Sequence, residues 1–144
     1  MGINMSFDMK VGDCMSKGVV TLDEHKTVLE AAKLLCEKNI GSVIITRSGD
    51  AVGIITERDI IQKVISKEKT AKNEKVSSIM SKPLKAIEES QTIEDAALAM
   101  REHNIKRLPV LDDGNLVGII SEGDLIGVYP GIIDIITETP RARR

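Results

Sequence analysis

Gly53-Ile54-Ile55-Thr56-Glu57-Arg58-Asp59 recurs 65 positions on (53 to 118) as Gly118-Ile119-Ile120-Ser121-Glu122-Gly123-Asp124. Each stretch is an apolar run that ends in a hydroxyl residue, with an aspartate three positions later. The same offset lays residues 11–61 on residues 76–126 without a gap. Met15-Ser16-Lys17 falls on Met80-Ser81-Lys82, Thr27 on Thr92, and Ala31-Ala32 on Ala96-Ala97. Asn39-Ile40 falls on Asn104-Ile105, and Val52 on Val117. Composition alone does not produce a gap-free duplication, so the repeat dictates the architecture.

Within each copy the pattern reads strand, helix, strand, strand, helix. The first strand is expected over 19–22 and 84–87. Val28, Ala31, Ala32 and Leu35 recur at helical spacing, as do Ile93, Ala96, Ala97 and Met100, so helices are expected over 28–38 and 93–103. Thr27 with Glu30 and Thr92 with Asp95 have capping-box spacing at the helix starts. Strands over 42–46 and 52–55 flank Ser48-Gly49-Asp50, and strands over 107–111 and 117–120 flank Asp112-Asp113-Gly114-Asn115, with glycine where a hairpin needs positive φ. A second helix begins at Glu57 or Glu122. The fold class expected is α/β (α+β): two tandem β-α-β-β-α repeats packed sheet to sheet with pseudo-twofold symmetry. One repeat of this size cannot cover both faces of its sheet, whereas two can. The division is 11–66 for the first repeat, a polar linker over 67–75, and 76–129 for the second. Pro130-Gly131 breaks the chain, and 130–144 holds a short helix at 132–137 that packs back, then a loose basic tail over 140–144. Residues 1–10 are expected to be a poorly ordered or loosely docked leader.

Composition narrows the function. The chain has 144 residues, 42% apolar and 29% charged, which suits a folded globular chain. No apolar run reaches the length of a membrane span and no signal peptide opens the chain, so a soluble, cytoplasmic protein without membrane association is expected. A net charge of −2 recruits no nucleic acid by field, and one Phe, one Tyr and no Trp cannot build a base-stacking platform. Cys14 and Cys36 form no CxxC and are read as reduced structural thiols. His25 and His103 stand alone, so no metal site is expected and both are read as surface residues. No nucleophile–base pair or nucleotide-hydrolysis motif is present, so no catalytic residue is assigned and the chain is read as not an enzyme.

The hydroxyl-x-x-Asp frame has two readings. It is the spacing of a capping box, which only starts a helix. It also sets a hydroxyl and a helix N-terminus beside a carboxylate, which suits a phosphate and a ribose diol. The frame, taken with Met-Ser, Asn-Ile and Gly-Ile-Ile in both copies, resembles the CBS domain, named for cystathionine β-synthase, and a tandem pair of them, the Bateman module. The resemblance covers nearly all of residues 11–129. Asn104-Ile105-Lys106-Arg107-Leu108-Pro109-Val110 is especially close to the family pattern.

That resemblance implies a non-catalytic regulatory or sensor module that binds an adenine nucleotide (AMP, ADP or ATP) in a cleft between the repeats. Asp59 and Asp124 would then hold ribose. Thr56 and Ser121 would face phosphate, with Arg58, Lys106 and Arg107 beside them. The adenine pockets would use Val20, Thr21, Ile40 and Gly41 in the first copy, and Lys85, Ala86 and Ile105 in the second. Lys106-Arg107 stands where Gly41-Ser42 stands, and Arg58 where Gly123 stands, so the two sites are expected to be unequal. The resemblance also implies a homodimer. Apolar residues Ile60, Ile61, Val64 and Ile65, with Leu125, Ile126 and Val128, are expected at its interface. The effector would be a separate, unknown protein. The alternatives are binding of an S-adenosyl compound or nucleic acid, or a purely structural dimerisation module. The sequence leaves open which nucleotide binds and whether base and ribose touch the same repeat.

Overall fold

A computed structural model describes residues 8–137. They fall into two compact units, one of Val19–Leu84 and one made of the described residues up to Gly18 and from Lys85 onward. The leader of each sequence copy therefore lies in the unit built mainly from the other copy.

In the first-copy unit, β1 (Thr21–Asp23) runs parallel to β2 (Ser42–Arg47), which pairs antiparallel with β3 (Asp50–Thr56). Between them lies α2 (Val28–Lys38), and α3 (Glu57–Ile60) continues as a π-helical turn over Ile61–Ile65. A short α1 (Val11–Cys14) precedes these in the chain. The second-copy unit repeats the plan: β4 (Ile87–Glu88), α4 (Ile93–His103), β5 (Arg107–Asp112), β6 (Asn115–Ser121) and α5 (Glu122–Val128), in sheet order β4-β5-β6. A 3-10 turn at Pro130–Ile132 then leads to α6 (Ile133–Thr137).

Local chemistry explains these bounds. The Thr27 and Thr92 hydroxyls accept from the backbone N–H three residues on, and Asp95 closes a full capping box. Asn39 and Asn104 end the helices in the left-handed region at φ 54°, a conformation asparagine tolerates better than most residues. Both hairpins turn on two residues of positive φ, Ser48-Gly49 and Asp113-Gly114, the backbone that matches strand twist. Val28, Ala31 and Leu35 of α2 are buried against Val43, Ile45 and Ile55 of the sheet. Ile93, Ala96 and Met100 of α4 take the same places against Leu108, Val110 and Ile120.

The leaders pack in a crossed but symmetric way. Ser81 N–H donates to the Ile54 carbonyl at 2.9 Å, beside β3, and Ser16 N–H donates to the Ile119 carbonyl at 2.9 Å, beside β6. Lys75 bridges to Thr27, and Lys10 to Thr92. Gly53 and Gly118 permit the approach. A Cβ on Gly53 would stand 2.6 Å from Met80 Sδ, and one on Gly118 would stand 2.8 Å from the Ser16 carbonyl.

Several expectations need correction. The first strands begin later than 19–22 and 84–87, at Thr21 and Ile87. In β2 the Ile44 N–H donates to the Val20 carbonyl at 3.1 Å. Its counterpart in β5 is Pro109, which has no N–H, and β4 is shortened to two residues. The residues nearest the leader are docked: Met9 packs on the second-copy core and its carbonyl accepts from Ile93 N–H. Residues 1–7 and the tail over 140–144 lie outside the described residues. Cys36 is exposed rather than structural, because it stands one position past the buried stripe ending at Leu35. Val64 and Leu125 are fully buried within their own units, so they offer nothing to a partner. The expected short terminal helix does pack back, with Ile132 and Ile136 in the second-copy core.

Candidate functional site

The register of each sheet brings most of the candidate residues to one end. In the first-copy unit Ser42 pairs with Thr56, and Glu57 N–H donates to the Gly41 carbonyl at 3.1 Å. β1 is parallel to β2, so Val20 and Thr21 lie at that same end, as does Ile40, which is anchored by its N–H to the Leu35 carbonyl. The second-copy unit reproduces this. Arg107 pairs with Ser121, Glu122 N–H donates to the Lys106 carbonyl at 2.8 Å, and Ile105 N–H is anchored on Met100. Lys85 and Ala86 lead into β4 at this end.

At the same end sits the hydroxyl-x-x-Asp frame, and in both units it forms a complete capping box. The Thr56 N–H donates to Asp59 Oδ2 at 2.8 Å, and the Asp59 N–H donates to Thr56 Oγ1 at 3.2 Å. The Ser121 N–H donates to Asp124 Oδ2 at 2.9 Å, and the Asp124 N–H donates to Ser121 Oγ at 3.0 Å. The box uses one carboxylate oxygen and leaves the other to its surroundings. Capping and ligand holding are thus compatible uses of one side chain.

The surroundings differ between the units. Asp59 is buried at 9% exposure, and its Oδ1 faces Lys63 Nζ at 3.2 Å. Asp124 is half-buried, and no cation faces it among the described residues. Close to it lies Cys14. Burial, reinforced by the Asp13 and Asp124 carboxylates, pushes that thiol above the ordinary cysteine range. Cys14 also sits 3.0 Å from Met9 Sδ. Arg58 and Lys106 are exposed and Arg107 is half-buried, and the exposed Arg58 lies beside the Gln62 amide.

The sequence reading assigned neither of two residues that lie beside the aspartates. Lys63 stands four positions after Asp59, a spacing that places charged pairs on one helix face and was a usable signal. Cys14 left no such signal, since its place near Asp124 depends on the crossed leader. Elsewhere, His25 and His103 are exposed, and no group of metal-ligating side chains exists among the described residues. No helix among them is long and apolar enough to cross a membrane.

Comparison with known proteins places the two repeats in a family. The CBS domain pattern matches residues 11–66 and 76–131. The chain is 36% identical over 115 residues to the CBS domain-containing protein YhcV of Bacillus subtilis, a match covering 80% of this chain and 81% of that one. It is 40% identical over 125 residues to a homoserine O-acetyltransferase of Methanohalophilus mahii, but that match takes in 85% of this chain and 25% of the enzyme. The solved CBS domain pair of protein MJ0100, in complex with 5′-methylthioadenosine and S-adenosyl-L-methionine, is similar with a TM-score of 0.77 and 31% identity, covering 85% of this chain and 97% of that one. The chain belongs to the CBS domain family and carries two copies of the domain.

Proposed function

We propose that this CBS pair is a non-catalytic sensor that binds an adenine nucleotide (AMP, ADP or ATP) at the sheet ends described above. The observation that carries the reading is the recurrence, in both units, of one constellation at one sheet end. That constellation comprises the start of the first strand, the helix-to-strand junction, the capping hydroxyl and its aspartate. Asp124 and Asp59 take the ribose. Thr56, Arg58, Ser121, Lys106 and Arg107 face phosphate. Val20, Thr21, Ile40 and Gly41, with Lys85, Ala86 and Ile105, flank the adenine. The pair acts as a cytoplasmic homodimer on a separate effector protein. A second reading, an S-adenosyl compound in the same place, is favoured by the ligands of the MJ0100 pair.

Calorimetry with AMP, ADP, ATP, NAD and S-adenosylmethionine tests both. A ligand that binds only the folded state at a hundred times its dissociation constant adds about 2.7 kcal/mol of stability. The melting temperature should therefore rise with the ligand that calorimetry selects. If no adenosine-containing compound binds at millimolar concentration, the reading fails. Incubation with ATP should leave the nucleotide intact, and any product would overturn the non-catalytic part.

A further inference from the structure

The two aspartates of the repeated frame are not equally available. A carboxylate has about four acceptor positions. On Asp59, Oδ2 already takes the Thr56 N–H at 2.8 Å and the Thr56 hydroxyl at 3.1 Å, and Oδ1 is ion-paired with Lys63 Nζ at 3.2 Å. A ribose diol needs two acceptor positions, and those left on Asp59 lie on the oxygen that the ammonium faces. Among the described residues only the Ser121 N–H engages Asp124, at 2.9 Å, so both hydroxyls of a ribose find acceptors. Lys63 is itself anchored, since its ammonium also donates to the Ile79 carbonyl at 2.9 Å. The residue 65 positions on is Val128, which carries no charge.

A second, independent difference has the same sign. The Val20 carbonyl at the start of the first strand is taken by Ile44 N–H at 3.1 Å. The residue of β5 that corresponds to Ile44 is Pro109, which has no N–H to donate to the matching Lys85 carbonyl. That carbonyl lacks the strand partner that Val20 has, which suits it to accept from an exocyclic amine of a base.

We infer that Lys63 acts as an internal plug on Asp59, so that the second-copy unit is the tight site and the first-copy unit the weak one. Lys63 is a specificity-determining residue: it sets the order in which the sites fill. The inference rests on the adenosine-ligand reading above. Its consequence is graded response, in which low ligand occupies the Asp124 unit alone and the Asp59 unit answers only when the ribose displaces the ammonium.

Calorimetric titration with adenosine tests it, because adenosine has no phosphate for Lys63 to attract. The wild type should show two unequal sites, with Asp124→Asn removing the tighter and Asp59→Asn sparing it. Lys63→Val, which copies Val128, should raise the weak site's affinity about tenfold, the equivalent of one recovered hydrogen bond to a charged acceptor. Lys63→Met controls for packing, and Val128→Lys should weaken the tight site. Two equal sites in the wild type, or Lys63 variants that bind adenosine unchanged, would overturn the plug and leave the adenosine reading standing. So would Lys63 variants that lose affinity for AMP alone, since Lys63 would then be a phosphate ligand. A wild type that binds neither adenosine nor any nucleotide overturns the adenosine reading, and the plug with it.

Discussion

Gly118 lies directly against Ser16: a Cβ at Gly118 would stand 2.8 Å from the Ser16 carbonyl and 2.5 Å from Met15 Sδ. The Ser16 carbonyl cannot retreat easily, because it accepts the Ile119 N–H at 3.0 Å. At Gly53 the nearest obstacle is Met80 Sδ at 2.6 Å, with the Ser81 carbonyl farther off at 3.1 Å. A thioether moves at little cost, whereas backbone held in a ladder does not. Gly118→Ala should therefore cost about 1–3 kcal/mol, in the range of core overpacking, and Gly53→Ala less. Thermal melts of the ligand-free protein should rank them so, at roughly 2–4 °C per kcal/mol for a chain of this length. Equal melts would mean that the leaders pack no more tightly on one sheet than on the other.

Because Asp124 is both cap and ligand candidate, its variants should separate the two roles. Asp124→Ala removes the acceptor for the Ser121 N–H and should lower ligand-free stability by about 1 kcal/mol. Asp124→Asn keeps an oxygen for that N–H but loses the charge, so it should melt close to the wild type. Both should bind adenosine compounds about ten- to a hundredfold more weakly. An Asn variant that binds like the wild type would reduce Asp124 to a cap.

Sequence and structure part company in a physically specific way. The caps at Thr27 and Thr92 and the αL asparagines are local signals, and the helix bounds 28–38 and 93–103 were legible from them. So was the capping box at each strand-to-helix junction, because a hydroxyl-x-x-Asp frame needs no long-range contact to form. The crossed leaders were not legible. An alignment of two copies states which residues correspond, but Met15-Ser16 fits either sheet by pattern, and only the tertiary structure assigns it to Gly118. The shortened β4 was legible in principle from Pro109, whose missing N–H falls on the side of the sheet that β4 occupies. Cys36 was misread because a helix period of 3.6 residues carries position 36 off the stripe of 28, 31 and 35.

Ile61 and Ile65 are 60% and 61% exposed on the π-helical turn after α3. In the second-copy unit, Val128 is 39% exposed. Apolar side chains this open are costly to leave in water when they cluster, and a second copy of the chain would cover them symmetrically. Light scattering at micromolar concentration should give a dimer, and Ile61→Glu with Ile65→Glu should shift it to monomer while leaving the melt nearly unchanged. A monomeric wild type would remove the homodimer from the proposal.

The Cys14 thiol should make stability fall on the alkaline side. Burial and the Asp13 and Asp124 carboxylates raise its pKa in the folded state. The unfolded chain therefore releases this proton at a lower pH than the folded chain does. The contribution is complete below the ordinary thiol range and is lost as pH rises through the folded value. Cys14→Ala should flatten the alkaline limb of a stability–pH curve, and alkylation should modify exposed Cys36 before Cys14. A curve unchanged by the substitution would show that the thiolate is tolerated where it stands.

Arg107 is the last residue whose role can be read from its surroundings. Its backbone is fixed opposite Ser121 in the ladder, so the side chain is held at the end of β5 where the capping hydroxyl stands. No described residue pairs with its guanidinium, and it is only half-exposed. A partly desolvated cation without a partner is poised for an anion. The planar fork of arginine suits phosphate better than the point charge of the exposed Lys106. Arg107→Ala should therefore weaken AMP about tenfold or more, at about 1.5–3 kcal/mol per charged hydrogen bond, and leave adenosine within a factor of about two, a few tenths of a kcal/mol. Lys106→Ala should follow the same pattern with a smaller loss and a stronger dependence on salt, because exposed charges are screened. Equal losses for AMP and adenosine would show that Arg107 shapes the pocket instead of reading the phosphate.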